Sequence, residues 1–115
     1  MKNKEYISLN KMIEYIDKAI KYTESYDFQS FCNDEKTIDA TVFAICQIGE
    51  LVKNLSKETM EQYSNIEWSM IKGLRNRIVH DYEGINLKSI WVVVKNDIVE
   101  LKISIQEIIN SESDR

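Results

Sequence analysis

The sequence has no proline, only three glycines, a single histidine and two cysteines in 115 residues. With so few breakers, long helices are favoured over a turn-rich β architecture. Cys32 and Cys46 form no Cys-x-x-Cys pair and have one histidine to join them, which argues against a zinc site. Two unpaired thiols suit a reducing compartment. No apolar run approaches the roughly 20 residues needed to span a bilayer, and Met1–Glu5 lacks the apolar core of a signal peptide. The expectation is a cytoplasmic protein with no membrane association. Positive charge is also short: 15 Lys and Arg stand against 19 Asp and Glu, for a net charge of −4. That balance excludes broad coating of nucleic acid but leaves room for a local basic site.

The length suits one domain, residues 1–115, with a single core. Tyr6, Leu9, Ile13, Ile16 and Ile20 recur at spacings of three and four, predicting a first helix over about 4–25. The stretch 26–33 reads as a loop in which Phe28 and Phe31 plug the end of the core. Asp34 is a plausible cap for a second helix reaching about Leu55, with the stripes Ile38/Val42/Ile45/Val52 and Ala44/Ile48/Leu51/Leu55. A helix apolar on so many sides is either central to the core or also buried between two chains. Gly49 within it suggests a close helix–helix approach, which fits a dimer contact. Glu50 beside it reads as a solvated or interface charge able to orient an arginine.

The polar connector 56–63 has room for one helical turn. Ser64 and Glu67, three apart before an apolar-periodic run, match a capping box and predict a third helix over about 65–80. Gly84 and Asn86 then supply a stop and a new cap. The last helix, about 87–110, carries Leu87, Ile90, Val94, Ile98, Leu101, Ile105 and Ile108. Trp91-Val92-Val93-Val94 is strand-prone taken alone, but seven stripe positions outweigh it. Residues 111–115 read as a frayed tail. The fold class is all-α: an antiparallel bundle of four main helices, with room for a short fifth.

The chemistry concentrates in Arg75-Asn76-Arg77-Ile78-Val79-His80-Asp81-Tyr82, which holds the only histidine and two of the three arginines. Residues four apart on a helix lie about 40° apart around the axis, so Asn76 and His80 share a stripe, with Arg75 on its flank. Arginine offers phosphate two parallel hydrogen bonds and never deprotonates. Histidine exchanges protons near neutrality. These are parts for RNA cleavage without metal: a base for the ribose 2′-hydroxyl, a cation for the phosphoryl charge, and an acid for the leaving 5′-oxygen. One histidine per chain cannot be both acid and base in one step, so a histidine pair requires two chains related by a two-fold axis. A histidine in the last turn of a helix also stabilises the negative end of the dipole with no catalysis implied. Tyr82 reads as a rim aromatic over Trp68 or Trp91. Asp81 and Glu83 would weaken phosphate binding if they pointed inward.

The same residues resemble the signature of the HEPN superfamily, an arginine, a polar residue and a histidine after a short spacer: Arg75, Asn76 and His80. Arg75, His80 and Tyr82 together are similar to the Arg-x4-His-x-Tyr form of HepT-like toxins. The likeness extends through Ile48–Leu55, Trp68–Gly73 and Gly84–Val94, and so over most of 35–110. The resemblance implies an all-α homodimer whose paired motifs cut RNA without a metal or other cofactor. It implies a nucleotidyltransferase antitoxin as partner, which transfers AMP onto Tyr82. Many relatives carry prolines before the motif helix; here the stretch is Tyr63–Trp68. Arg77 lies outside the signature, as an RNA contact or a pairing residue. Arg75 and His80 are thus the catalytic candidates, Asn76 and Arg77 the RNA-positioning ones, and Tyr82 the modification target, with no metal ligand. The alternative is a non-catalytic nucleotide-binding or adaptor subunit of a nucleotidyltransferase complex.

Overall fold

A computed structural model describes residues 1–114. The described residues form eight α-helices and no strand. Helix α1 (Asn3–Thr23) buries Leu9, Met12, Ile16 and Ala19 completely. Tyr6, Ile13 and Ile20 are only half-buried, so the inward face is centred one residue step from the stripe the spacing suggested. A short helix α2 (Phe28–Cys32) replaces the expected loop. Asp27 starts it by accepting a 2.8 Å bond from the Ser30 amide, and Phe31 anchors it, fully buried. Phe31 and the half-buried Phe28 both pack on Trp91, with ring centroids 5.0 and 6.1 Å away.

Helix α3 (Glu35–Leu51) starts where Asp34 accepts from the Thr37 amide at 3.0 Å, and it leaves through a 3-10 turn at Val52–Asn54. It is the central helix, burying Ile38, Ala44, Ile45 and Ile48. Each of the three isoleucines contributes about 1.5–3 kcal/mol. Its Phe43, by contrast, is 59% exposed. The connector then forms a short helix α4 (Lys57–Gln62) capped by Ser56. Glu5 of α1 clamps this cap, accepting from the Ser56 amide at 2.7 Å and from Thr59 Oγ1 at 2.8 Å. Burial pushes the Glu5 carboxyl upward, but these hydrogen bonds outweigh it and hold the group below its ordinary range.

The expected third helix is two helices. The Ser64 capping box does not form: α5 (Trp68–Lys72) starts at Glu67 without a side-chain cap. Tyr63 O instead accepts from both the Ile66 amide (3.2 Å) and the Trp68 indole (3.0 Å), and the Trp68 amide bonds to Ile66 O at 2.9 Å. This tight turn buries Ile66 and Trp68, which outweighs capping by an exposed serine. Helix α6 (Leu74–Glu83) follows a break at Gly73 and ends at Gly84. The left-handed turn residue is Ile85, with φ 59°, and Asn86 then caps α7 (Leu87–Val92) by accepting from the Ser89 amide.

The strand-prone valines are helical. A π turn over Val93–Asp97 joins α7 to α8 (Ile98–Ser113), with the Ile98 amide bonded to Val93 O. Lys95 in this turn lies 4.6 Å from the centre of the Trp91 ring and donates to Thr23 O at 2.8 Å, tying off the end of α1. Helix α8 runs through Ser113, past the point of expected fraying, while Arg115 of the expected tail lies outside the described residues. Helix α1 packs on α3 and α8, α3 on α6, and α7 on α6 and α2. The architecture is the all-α bundle of four main units: α1, α3, α5–α6 and α7–α8. At five or six residues, α2, α4 and α5 are too short to stand alone and hold through Phe31, Thr59 and Trp68.

Candidate active site

Helix α6 turns Leu74 and Ile78 into the core. The helical period therefore leaves Arg75, Asn76, Val79 and His80 on its outer side. The His80 side chain is 89% exposed, and Asn76 stands one turn before it. The Arg75 guanidinium donates to Asn76 Oδ1 at 3.4 Å. All three groups thus face solvent from one helix, the arginine leaning over the amide.

Arg75 is also held from α3, and Gly49 makes that possible. A Cβ on Gly49 would stand 3.1 Å from the Arg75 amide nitrogen and 3.2 Å from Ile71 O. Both neighbours are backbone, so a bare position is what lets α3 approach α6. The close approach expected of Gly49 is therefore within one chain, not the dimer contact it suggested. Glu50, the next residue, bridges two cations: Oε1 is 3.4 Å from Arg75 Nε and Oε2 is 3.0 Å from Lys53 Nζ.

Arg77 lies about 200° around α6 from Arg75. Its guanidinium donates to Ser89 Oγ at 3.3 Å and stands 3.8 Å from Asp97 and 3.9 Å from Asp81. It is drawn toward α7 and the π turn, apart from Arg75, Asn76 and His80. Asp81 is largely buried and turned the same way, accepting from Ser89 Oγ at 2.6 Å. Its second oxygen is 3.9 Å from His80 Nδ1.

Tyr82 does not lie over either tryptophan. Its hydroxyl donates to Asp39 of α3, while the Trp68 indole donates to Tyr63 O and Trp91 packs on Phe31. The hydrogen bond to Asp39, followed by burial and the charges of Asp39 and Glu35, raises the Tyr82 pKa. The phenol is held protonated and in place, yet remains exposed.

Two depressions flank Arg75. One, about 370 Å³, is lined by Glu50, Lys53, Ser69, Lys72, Arg75 and Asn76. The other, about 400 Å³, includes Asp39, Phe43, Cys46, Arg75, Val79 and Tyr82. Burial pushes the Cys46 thiol above its ordinary range, with Arg75 pulling the other way. Sequence reasoning passed over Lys53, Lys72 and Asp39. Lys53 and Lys72 carried faint signals, three residues after Glu50 and three before Arg75; Asp39 carried none, because tertiary packing brings it in. Among the described residues no three His, Cys, Asp or Glu side chains are grouped to hold a metal ion, and no helix is long and apolar enough to cross a membrane.

Residues 12–108 match the family model described as "Ribonuclease HepT-like". The chain is 33% identical over 104 residues to "Putative RNase TTE0752" of Caldanaerobacter subterraneus subsp. tengcongensis, covering 90% of this chain and 93% of that protein. It is 31% identical over 94 residues to "Probable ribonuclease HepT" of Thermococcus cleftensis, covering 82% of this chain and 86% of that protein. No solved structure matches the chain significantly.

Proposed function

The chain belongs to the HepT-like ribonuclease family, and on that premise we propose that it is a metal-independent RNA endonuclease, the toxin of a cytoplasmic toxin–antitoxin pair, working as a homodimer. The observation that carries the reading is the outward group on α6. Arg75, Asn76 and an almost fully exposed His80 stand on one helical side, with the guanidinium held by Glu50. Nothing in the fold uses the imidazole as a core group.

In this mechanism Arg75 and Asn76 hold the scissile phosphate and stabilise the charge that grows on its oxygens. One His80 takes the proton of the ribose 2′-hydroxyl, whose oxygen attacks the adjacent phosphorus. The bond from phosphorus to the 5′-oxygen breaks, and that oxygen takes a proton from His80 of the second chain. The products are a 2′,3′-cyclic phosphate and a free 5′-hydroxyl. The apolar depression around Phe43 and Val79 supports a dimer, because exposed apolar surface beside a half-site is best covered by the other half.

Tyr82 is the proposed point of control. Its hydroxyl, positioned by Asp39 on a side chain exposed in the single chain, is where a nucleotidyltransferase antitoxin would add AMP, on a chain not yet covered by its partner. The added phosphate would lie beside Arg75, which lines the same depression, and would compete for it with RNA.

The test is cleavage by the purified chain. His80→Ala should lower the rate by about 10²–10⁴-fold with helicity and oligomeric state unchanged, and EDTA should leave the wild-type rate alone. A His80→Ala protein as fast as wild type, or a strict metal requirement, sinks the mechanism. After coexpression with the antitoxin, intact mass should show whole AMP units on the wild type and none on Tyr82→Phe.

A further inference from the structure

In the depression on the Lys53 side of Arg75, cations outnumber acids. Lys53, Lys72 and Arg75 line it with a single carboxylate, Glu50, in a chain whose net charge is −4. Glu50 spends both oxygens on the rim, one on Arg75 and one on Lys53, so it fixes the two cations side by side. Lys72 comes from the end of α5, one residue before the break at Gly73, and makes no ion pair among the described residues. The Ser69 hydroxyl adds a neutral donor to the wall, and the Asn76 amide closes the side toward His80.

We infer that this depression is a second phosphate subsite, seating the RNA phosphate next to the one being cut. The inference rests on the ribonuclease reading above and extends it from one phosphate to two. An RNA strand whose scissile phosphate sits on Arg75 and Asn76 carries its next phosphate one backbone repeat away. Along one direction the strand meets Lys53 and Lys72; along the other it meets Phe43 and the Asp39 carboxylate, which repels it. The strand therefore has one favourable course across the chain. Lysine suits this role because a flexible point charge follows the backbone without reading a base. The subsite supplies affinity and direction, and leaves the reacting atoms to Arg75, Asn76 and His80.

The experiment compares short substrates: a pool of dinucleoside monophosphates of all base combinations, and the same pool with a further phosphate at the 5′ or the 3′ end. In wild type one of the two added phosphates should lower KM by about fivefold, as two exposed ion contacts would. In Lys53→Ala/Lys72→Ala that advantage should shrink to near unity. Lys72→Ala alone should remove about half of it on a logarithmic scale. Lys72 makes no ion pair with Glu50, so that variant leaves the Glu50 contacts to Arg75 and Lys53 in place. Binding to an uncleavable 2′-O-methyl oligonucleotide should lose about 1.4 from its logarithmic salt slope in the double variant. Lys11→Ala/Lys21→Ala, an equal loss of two charges from exposed positions on α1, should change neither reading. An added phosphate that helps the double variant as much as wild type overturns the subsite and leaves the ribonuclease reading standing. A wild type that neither binds nor cuts these RNAs overturns both.

Discussion

The depression that Lys53, Lys72 and Asn76 form on one side of Arg75 is cationic, whereas the one that Phe43, Val79 and Tyr82 form on the other is apolar and carries a carboxylate, Asp39. The two are of similar volume and share a wall, so the difference lies in what each can receive. A polyanion gains on the first and is repelled on the second. A second protein surface gains on the second, where Phe43 is 59% exposed. In the proposed dimer one arginine between them would serve two kinds of contact, and α6 would carry half a catalytic site beside part of an interface.

That contrast can be broken by putting a charge in the apolar half. Phe43→Glu should weaken the proposed dimer by at least about 30-fold, a hot-spot effect near 2 kcal/mol. Cleavage should fall with the dimer and recover at high protein concentration. Light scattering with activity at several concentrations would decide it, and a monomeric variant with full activity would separate the apolar half from catalysis.

Gly49→Ala should disturb both halves at once, because it pushes on the helix between them. The added methyl meets backbone on α6, at about 1–3 kcal/mol for overpacking. That exceeds the ~1 kcal/mol gained in helix propensity. A lower midpoint in urea and a loss of cleavage are expected together; unchanged activity would mean that α6 can slide without cost.

The smallest effect belongs to a site that touches neither half. Glu5 clamps α4 far along the chain, and Glu5→Gln should cost about 1 kcal/mol by weakening charge-assisted bonds to Ser56 and Thr59. Its folded pKa lies below the ordinary 4.5, so its contribution is present above that pH and is lost as pH falls through the folded value. The variant should lose less stability than wild type on going from pH 7 to acid. Denaturant melts across that range would show it, with cleavage at neutral pH unaffected.

Much of the fold was legible because core burial repeats along the chain. The long stripes predicted α1, α3 and the α7–α8 unit, and Asp34 and Asn86 cap where short acceptor side chains precede apolar runs. The Ser64 box misled because it is a local preference, and the Trp68 indole on Tyr63 O ties that segment into a turn instead. The motif residues were legible because one helix carries them. The residues from α3 that surround Arg75 were less so, since their nearness depends on how closely two helices pass. Gly49 was the sequence trace of that passage, but it could not say that the neighbour was in the same chain.

The π turn at Val93–Asp97 has a consequence for how the chain tolerates changes in length. An i→i+5 bond stores one extra residue in a helical path without adding a turn. It acts as a phase shifter between the part facing α2 and α6 and the part facing α1. Removing one residue there would let the path close into a regular α-helix and keep the phase of α8, whereas adding one more would turn everything after it by about 100° relative to what precedes it, swinging Ile105 and Ile108 away from the core they now fill. Loss of a single residue should therefore be mild at 93–97 and gain of one there lethal to the fold, so a scan of deletions and insertions would read the bundle's gearing directly.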